Sequence, residues 1–492
     1  MCGIVGIYGT SETVAVDIYD ALLMVQHRGQ DAAGILTYNG HFHLHKDNGL
    51  VTDVITQPVM ERLSGNIGIG HVRYRTAGNM DPTAAQPFII NSPYGIGLIH
   101  NGNLTNYDQL KRIITEEDNR YLNSTSDSEM MLNVMGHELQ KDATRYLEPS
   151  KLFEVMERTF KRLSGSYAVI TIIAGQGMVA FRDPYGIRPL ILGQRKASNG
   201  EIEYMFASES VALTSCDFEI VGDVAAGEVV YIDRNRQVHR KVCAEKPVRK
   251  TCIFEYVYLA RPDSIMDEIS VYKARLRMGE SIAQKVKDLN LEIDVVIPVP
   301  DTARTCAITL AHELDVKYRE GLMKNRYVGR TFIMPEQGSR RKSIRQKLHP
   351  IELEIRNKNV MLVDDSIVRG NTSREIVEMV RDQGAKNVYF VSCAPPVRYQ
   401  CVYGVDMPTK AEFIAHNRTE QEIADYIGAD AVIYQENSDL IKSVIAPNKD
   451  PNQQFCAACF TGEYPTPEVT EDYLREVAAA RGDHGDAQKI EF

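Results

Sequence analysis

The chain has no apolar run approaching the roughly 18 residues of a membrane-spanning helix, and no basic segment followed by an apolar core at its start, so neither a membrane anchor nor a secretory signal is expected. Positive charge is in deficit. Lys and Arg number 56 against 66 Asp and Glu, and the formal net charge of −10 argues against bulk nucleic-acid binding, which needs a net basic face. Cysteine is sparse and odd in number, nine in 492 residues, which suits a reducing cytoplasm rather than a disulfide framework. Internal repeats and low-complexity tracts are absent. What remains is ordinary globular composition, 43% hydrophobic and 25% charged, over a length that predicts two or three domains rather than one core.

The most informative stretch is VMLVDDSIVRGNTS, residues 360–373. Val360 to Val363 fit a buried strand, and Asp364 and Asp365 follow where that strand emerges. A loop from Ser366 to Thr372 leads to a helix with an apolar stripe of Ile376, Val377, Met379 and Val380. Thr372 and Glu375 have capping-box spacing, Gly384 can end the helix, and Asn387 to Cys393 reads as the next strand. A loop between a parallel strand and a helix N-terminus presents backbone N–H groups to a phosphate. The paired acids would face the polyol beside that phosphate, or its metal. An ordinary strand-to-helix turn is the plainer reading; two acids and a glycine loop at a strand end favour the functional one. Ile293 to Pro300 repeats the buried-strand pattern, followed by Asp301-Thr302-Ala303-Arg304 and a helix. Lys324, Arg326, Tyr327, Gly329, Arg330 and Thr331, with Arg340, Arg341 and Lys342, form a basic stretch that reads either as a solvated loop or as a lid over a polyanion.

At the other end, Cys2 directly precedes a strand-like run. Once Met1 is removed it carries a thiol beside an α-amino group of pKa about 8, able to serve as its base. Val14, Ile18, Ala21, Leu22 and Val25 make one face of a helix, and Gln26 to Asp31 suits a turn at a site mouth, or a helix end closed by Gly29. Asn39-Gly40 signals a hairpin. Its neighbours His41, His43 and His45 alternate with Phe42 and Leu44, the polar face of a strand rather than a metal site. Gly70 to Tyr74 and His100 to Asn103 end further strand-like runs. A helix pattern spans Leu152 to Leu163, and strand patterns cover Tyr167 to Ile173, Gly177 to Phe181 and Tyr204 to Ala207. The Arg- and Lys-rich segment near 230–250 lacks periodicity and reads as a domain boundary. The final twenty-odd residues read as a helix followed by disorder.

These residues carry a resemblance. The 360–373 segment resembles the ribose-phosphate loop of phosphoribosyltransferases that use phosphoribosylpyrophosphate, and the N-terminus resembles the class II glutamine amidotransferases. Together, from Met1 to about residue 465, the chain resembles the amidophosphoribosyltransferase family. The resemblance implies an α/β protein with a four-layer αββα N-terminal-nucleophile domain (2–235), a type I phosphoribosyltransferase domain on a parallel sheet (236–470) and a helical or disordered tail (471–492). It implies that Cys2 is the nucleophile and that the Asn101 side-chain amide and Gly102 N–H stabilise the oxyanion. Arg73 would clamp the glutamine carboxylate and Asp127 hold its ammonium. Phosphoribosylpyrophosphate would lie on Asp364, Asp365, Ser366, Val368, Arg369, Gly370, Asn371, Thr372, Lys324 and Arg330, with magnesium at Thr302, Asp364 and Asp365. The implied reaction passes ammonia from glutamine to the ribose carbon with inversion, giving phosphoribosylamine for purine synthesis in a cytoplasmic homo-oligomer, dimer or tetramer, inhibited by purine nucleotides.

Cys252, Cys401, Cys456 and Cys459 coincide with the ligands of a 4Fe-4S cluster in one branch of the family. Taken alone, Cys456-Ala-Ala-Cys459 fits a redox pair, half a zinc site or chance. That branch carries a short propeptide before the nucleophile, none is seen here, and elsewhere the chain is closer to the cluster-free branch. Cys216, Cys243, Cys306 and Cys393 read as packed apolar residues. Arg75 departs from the proline or small residue expected after Tyr74. A hexosamine-forming synthase would share Cys2, Arg73 and Asn101 but lack the loop at 360–373. A non-catalytic nucleotide-responsive regulator would keep that loop and need no Cys2.

Overall fold

Period-two alternation in the first half drives two antiparallel sheets face to face. Along Gly3–Tyr8, Ile4 and Tyr8 enter the core between the sheets, while Val5 and Ile7 join a different core with Val14, Ile18 and Leu22 of the helix Val14–Met24. The computed structural model describes residues 2–74, 82–325, 347–445 and 452–486. Gly3–Tyr8 lies centrally in a seven-stranded sheet, between Ile202–Ala207 and Ile67–Arg73. The facing six-stranded sheet is centred on Gly165–Ile173, paired with Ile96–Leu104 and Gly177–Arg182. Ile99, Ala168, Ile170 and Val230 meet Ile4, Leu36 and Ile69 across the gap, and helices Asp127–Lys141 and Pro149–Arg162 cover the outer face of the second sheet. This is the expected αββα layering.

The hairpin at Asn39-Gly40 forms, with Gly40 at φ +105° and Tyr38 paired to Phe42. Its histidines lie on the edge strand Phe42–Asn48 and the turn before it, and His43 Nε2 meets Asn39 Oδ1 at 2.9 Å. The segment near 230–250 holds more structure than its lack of periodicity suggests. The strand Val238–Val242 closes one edge of the six-stranded sheet, so that sheet continues past residue 235. Its outward residues are solvated, which hides the apolar alternation.

In the second half, five parallel strands run in the order Lys317–Tyr318, Val295–Pro298, Asn359–Asp364, Asn387–Ser392, Ala431–Tyr434. Both faces are covered by helices, so the central strand is apolar throughout, with Met361 and Val363 in one core and Val360 and Leu362 in another. Within the second half, Lys250–Cys252 pairs in parallel with Gln454–Cys456, and the halves meet where Arg28 and Arg188 pair with Glu255. The tail forms the helix Glu471–Asp486. Among the described residues, no helix is long and apolar enough to cross a membrane.

Candidate active site

Cys2 sits at the head of the central strand Gly3–Tyr8, half-buried, and its backbone N–H donates to Asn101 Oδ1 at 3.3 Å. The Asn101 Nδ2 group is buried and has no hydrogen-bond partner, an amide donor held beside the thiol residue. Gly102 has φ +151°, and a Cβ there would lie 2.0 Å from the Ser166 carbonyl oxygen, so only glycine can follow Asn101 in this strand. Arg73 ends the strand Ile67–Arg73, which pairs directly with Gly3–Tyr8, Val72 opposite Gly3. Its backbone packs on Gly29, where a Cβ would meet Arg73 atoms at 2.4 Å. Gly29 is therefore an extended residue (φ −156°) required by this close approach, and not the left-handed helix cap its sequence position suggests.

Asp127 opens the helix Asp127–Lys141, with Ser126 capping it by accepting from Ser128 N–H at 3.3 Å. Burial alone would raise the Asp127 carboxyl. The neighbouring His100 and the N–H groups of Leu104 and Ser128 more than offset that and hold it below its ordinary value, as an anion. Leu104 N–H donates to it at 3.1 Å. Strand pairing thus brings Cys2 and Arg73 together, the facing sheet adds Asn101 and Gly102 through the Cys2 N–H bond to Asn101, and Asp127 joins them through its bond to Leu104 at the end of the Asn101 strand.

The second constellation lies at the carboxyl ends of the parallel strands, where ligands bind in open α/β sheets. Asp364 ends its strand and Asp365 follows, with Ser366 Oγ donating to Asp365 Oδ1 at 2.8 Å. Burial raises both carboxyls, Asp365 to about 6; for Asp364 the Asp365 charge adds to the effect. Thr302 donates to Asp365, which joins the strand-end loop at 301–304 to the acid pair. Gly370 adopts φ +77° and a Cβ would strike Ile414 at 2.3 Å. That left-handed residue caps the helix Asn371–Asp382. The helix therefore begins before Thr372, so Thr372 is no N-cap; like Ser366, Val368, Arg369 and Asn371, it lines the cavity instead. Lys324 reaches the same cavity and pairs with Asp301 at 2.9 Å. Arg326, Tyr327, Arg330 and residues 340–342 lie outside the described residues, as does Arg75.

One cavity of about 1100 Å³ joins the two halves: Arg28 and Tyr74 from the first share its lining with Asp364, Asp365 and the loop through Thr372 from the second. Its wall rests on a buried ionic chain. Glu209 pairs with His27 at 2.7 Å and with Arg28, Arg28 pairs with Glu255 at 2.8 Å, and Glu255 pairs with Arg188 at 3.2 Å. Burial would raise Glu209, but Arg28 and His27 hold it well below the usual range.

The four cysteines, all in the second half, gather beside Arg188 of the first. Cys252 and Cys456 are paired in register, and Tyr403 N–H donates to Cys401 Sγ at 3.4 Å. Cys459 accepts backbone bonds from Arg398 and Tyr399 at 3.0 and 3.1 Å. Burial drives up the Cys252, Cys456 and Cys459 thiols, with their neighbours in the set adding to the effect, Cys252 to about 11. The buried Arg188 guanidinium faces Cys252, Cys401 and Cys456. All four are free thiols. Among the described residues, no three His, Cys, Asp or Glu side chains are placed to hold a metal ion.

A glutamine amidotransferase domain model matches residues 71–215, and a phosphoribosyl transferase domain model matches 268–407. The amidophosphoribosyltransferase of Pseudomonas aeruginosa is 55% identical over 98% of this chain and 96% of its own; that of Escherichia coli is 52% identical over 99% and 97%. The solved glutamine phosphoribosylpyrophosphate amidotransferase of B. subtilis, complexed with ADP and GMP, superposes with TM-score 0.84 at 35% identity, covering 96% of this chain and 98% of that one. The chain belongs to the amidophosphoribosyltransferase family.

As an amidophosphoribosyltransferase, it uses glutamine to convert phosphoribosylpyrophosphate to 5-phosphoribosylamine, the first step of purine biosynthesis. Sequence reasoning alone missed several residues of this amidophosphoribosyltransferase. Arg275, buried on the helix Val271–Asp288, donates to the Tyr256 and Ala260 carbonyls at 2.9 and 2.8 Å and sets a positive charge near Asp365. Arg28, Arg188, Glu209 and Glu255 are likewise spread over more than 200 positions. No local signal could have joined them, because each looks like an ordinary charged residue until the fold removes its water.

Proposed function

We propose that Cys2, freed of Met1, attacks the side-chain amide of glutamine while the Asn101 amide and the Gly102 N–H receive the oxyanion. The resulting thioester is hydrolysed to glutamate, and the released ammonia crosses the shared cavity to the ribose carbon. The buried, unpartnered Asn101 Nδ2 beside Cys2 supports the first step, since a preorganised donor costs no rearrangement as charge develops. Arg73 and Asp127, opposite in charge, suit the two ends of the amino acid. The observation that carries the two-site reading is one cavity lined by Arg28 and Tyr74 of the first half and by Asp364, Asp365 and the loop through Thr372 of the second. The experiment is pyrophosphate release from phosphoribosylpyrophosphate, measured with glutamine and then with ammonium. Both nitrogen sources must support it, and glutamate must form in step with pyrophosphate in the first case. Glutamate production that never couples to pyrophosphate release rules the reading out.

At the second site the loop from Ser366 to Thr372 receives the 5-phosphate at a helix N-terminus, and Lys324 and Arg330 the pyrophosphate. Asp364, Asp365 and Thr302 fit magnesium: they are hard oxygen donors, and two adjacent buried carboxyls, Asp364 raised further by the Asp365 charge, make an imbalance that a divalent cation relieves. Magnesium bound there would neutralise the departing pyrophosphate. Four thiols gathered in one place are the donor set a 4Fe-4S cluster takes. Such a cluster would cross-link three separate segments of the second half, at Cys252, at Cys401 and at Cys456 to Cys459. Arg188 and the Tyr403 N–H supply positive partners to its thiolates. We further read the domain change as falling after Val242, within 243–249, in place of residue 235, with the tail from 471. A cytoplasmic homo-oligomer bound by purine nucleotides completes the reading.

A further inference from the structure

We propose that Gly404 is a positioning residue for glutamine hydrolysis: it lets the segment anchored at Cys401 lie directly against the backbone of Gly102 and so fixes the oxyanion strand. The inference rests on the assignment of Asn101 and Gly102 to the oxyanion and adds to it a residue from the other half of the chain.

Gly404 has φ +93°, and a Cβ built on it would stand 2.8 Å from the Gly102 carbonyl oxygen, 2.9 Å from its carbonyl carbon and 3.2 Å from its Cα. On its other side Gly102 has no more room, because its own Cβ position falls 2.0 Å from the Ser166 carbonyl oxygen. Gly102 is therefore held between two backbones, each approach open only to glycine. The segment around Gly404 is itself fixed. Asn103 Nδ2 donates to the Val402 carbonyl at 3.0 Å, and Ser166 Oγ and Arg188 Nε donate to the Tyr403 carbonyl at 3.0 and 2.9 Å. Tyr403 N–H donates to Cys401 Sγ, and the Tyr403 hydroxyl bonds Thr466 Oγ1 at 2.6 Å. The next three residues, Val405, Asp406 and Met407, line the shared cavity. One short segment thus touches the four-cysteine centre, the oxyanion glycine and the cavity in succession.

An added methyl at 404 has backbone on its far side, so it cannot be absorbed by a side-chain rotation and must move Gly102 or the 401–404 segment. Oxyanion donors act in the transition state, whereas Arg73 and Asp127 hold the ground state, so the loss falls on kcat and not on KM. The test is steady-state kinetics of Gly404→Ala with glutamine and with ammonium, together with iron content. The expected result is a fall in glutamine-dependent kcat of about 10²-fold, with glutamine KM and ammonium-dependent activity within about twofold and iron unchanged. An equal fall with both nitrogen sources, or an unchanged glutamine kcat, overturns the proposal. Should Gly404→Ala not fold, Ser166→Ala removes only the hydroxyl that fixes Tyr403; it must shift glutamine kcat in the same direction, and an unchanged value overturns the proposal equally. Asn101→Gly in the same assay tests the underlying oxyanion reading by itself. An iron-free wild-type protein removes the cluster but leaves the Gly404 contact, which polypeptide alone makes.

Discussion

In the amidotransferase half the residues assigned to glutamine are strand residues or abut strand ends, locked by register: Cys2 heads a central strand, Arg73 ends the adjacent one and Asn101 lies within the facing sheet. In the phosphoribosyltransferase half the corresponding residues belong to loops beyond the strand ends, and part of the basic stretch lies outside the described residues. The electrostatics differ in the same way. Around Asp127 the protein already supplies His100 and two N–H groups, so the carboxyl is settled as an anion. Around Asp364 and Asp365 it supplies two acids that oppose each other, with Arg275 the nearest counter-charge. Under the proposed assignments, a small zwitterion meets a finished site, and a polyanion arriving with its own cation meets one left short of positive charge.

The comparison breaks most sharply at the acid pair. Asp364→Asn with Asp365→Asn is expected to abolish pyrophosphate release with glutamine and with ammonium alike; survival of the ammonium reaction would place the ribose elsewhere. Next, Cys2→Ala is expected to abolish glutamine-dependent activity while ammonium-dependent activity persists within about twofold, since the nucleophile serves only the first site. Equal loss of both would remove the division between the halves. A smaller effect is expected where the halves are joined. Glu255→Gln removes one charge from a fully buried chain and leaves Arg28 and Arg188 short of a partner, a loss of about 3–5 kcal/mol, read by denaturant unfolding. If the chain also sets the cavity wall, glutamate formation should outrun pyrophosphate release in this variant.

The smallest effect concerns Lys46, beside the glutamine site. Burial, aided by Arg73 and opposed by Glu129, lowers its amine from 10.5 to about 8. The folded protein then binds fewer protons than the unfolded chain between those values, so stability rises with pH across that window. The cost of burying the charge is fully present below about 8 and is gone above 10.5. Compared with Lys46→Met, the wild-type protein should gain unfolding free energy between pH 8 and 10.5; parallel curves for the two proteins would show that the amine is solvated.

Wherever chemistry lay in a short run of chain, it was legible early. The strand, acid pair, loop and helix at 360–384 appear as read, apart from the helix start, where Gly370 takes the cap from Thr372. The nucleophile strand, the Asn39-Gly40 hairpin and the first helix also appear as read, because alternation and turn chemistry are local properties. The strand at 238–242 escaped notice, since an edge strand with one solvated face keeps little apolar pattern. Gly29 left two readings open, a turn at a site mouth or a helix end; only the backbone of Arg73, brought in by sheet pairing, gives its actual reason.

The amino-acid order by itself determined the two chemistries, a thiol at the chain head and a phosphate loop after a buried strand, since each is encoded within a dozen residues. Tertiary structure alone decided that residues of both halves line one cavity, that four distant cysteines converge, and that Gly404 lies on Gly102. Those contacts join positions hundreds of residues apart. Their energies arise from the loss of water around charged and backbone groups, a change that no local stretch of sequence contains.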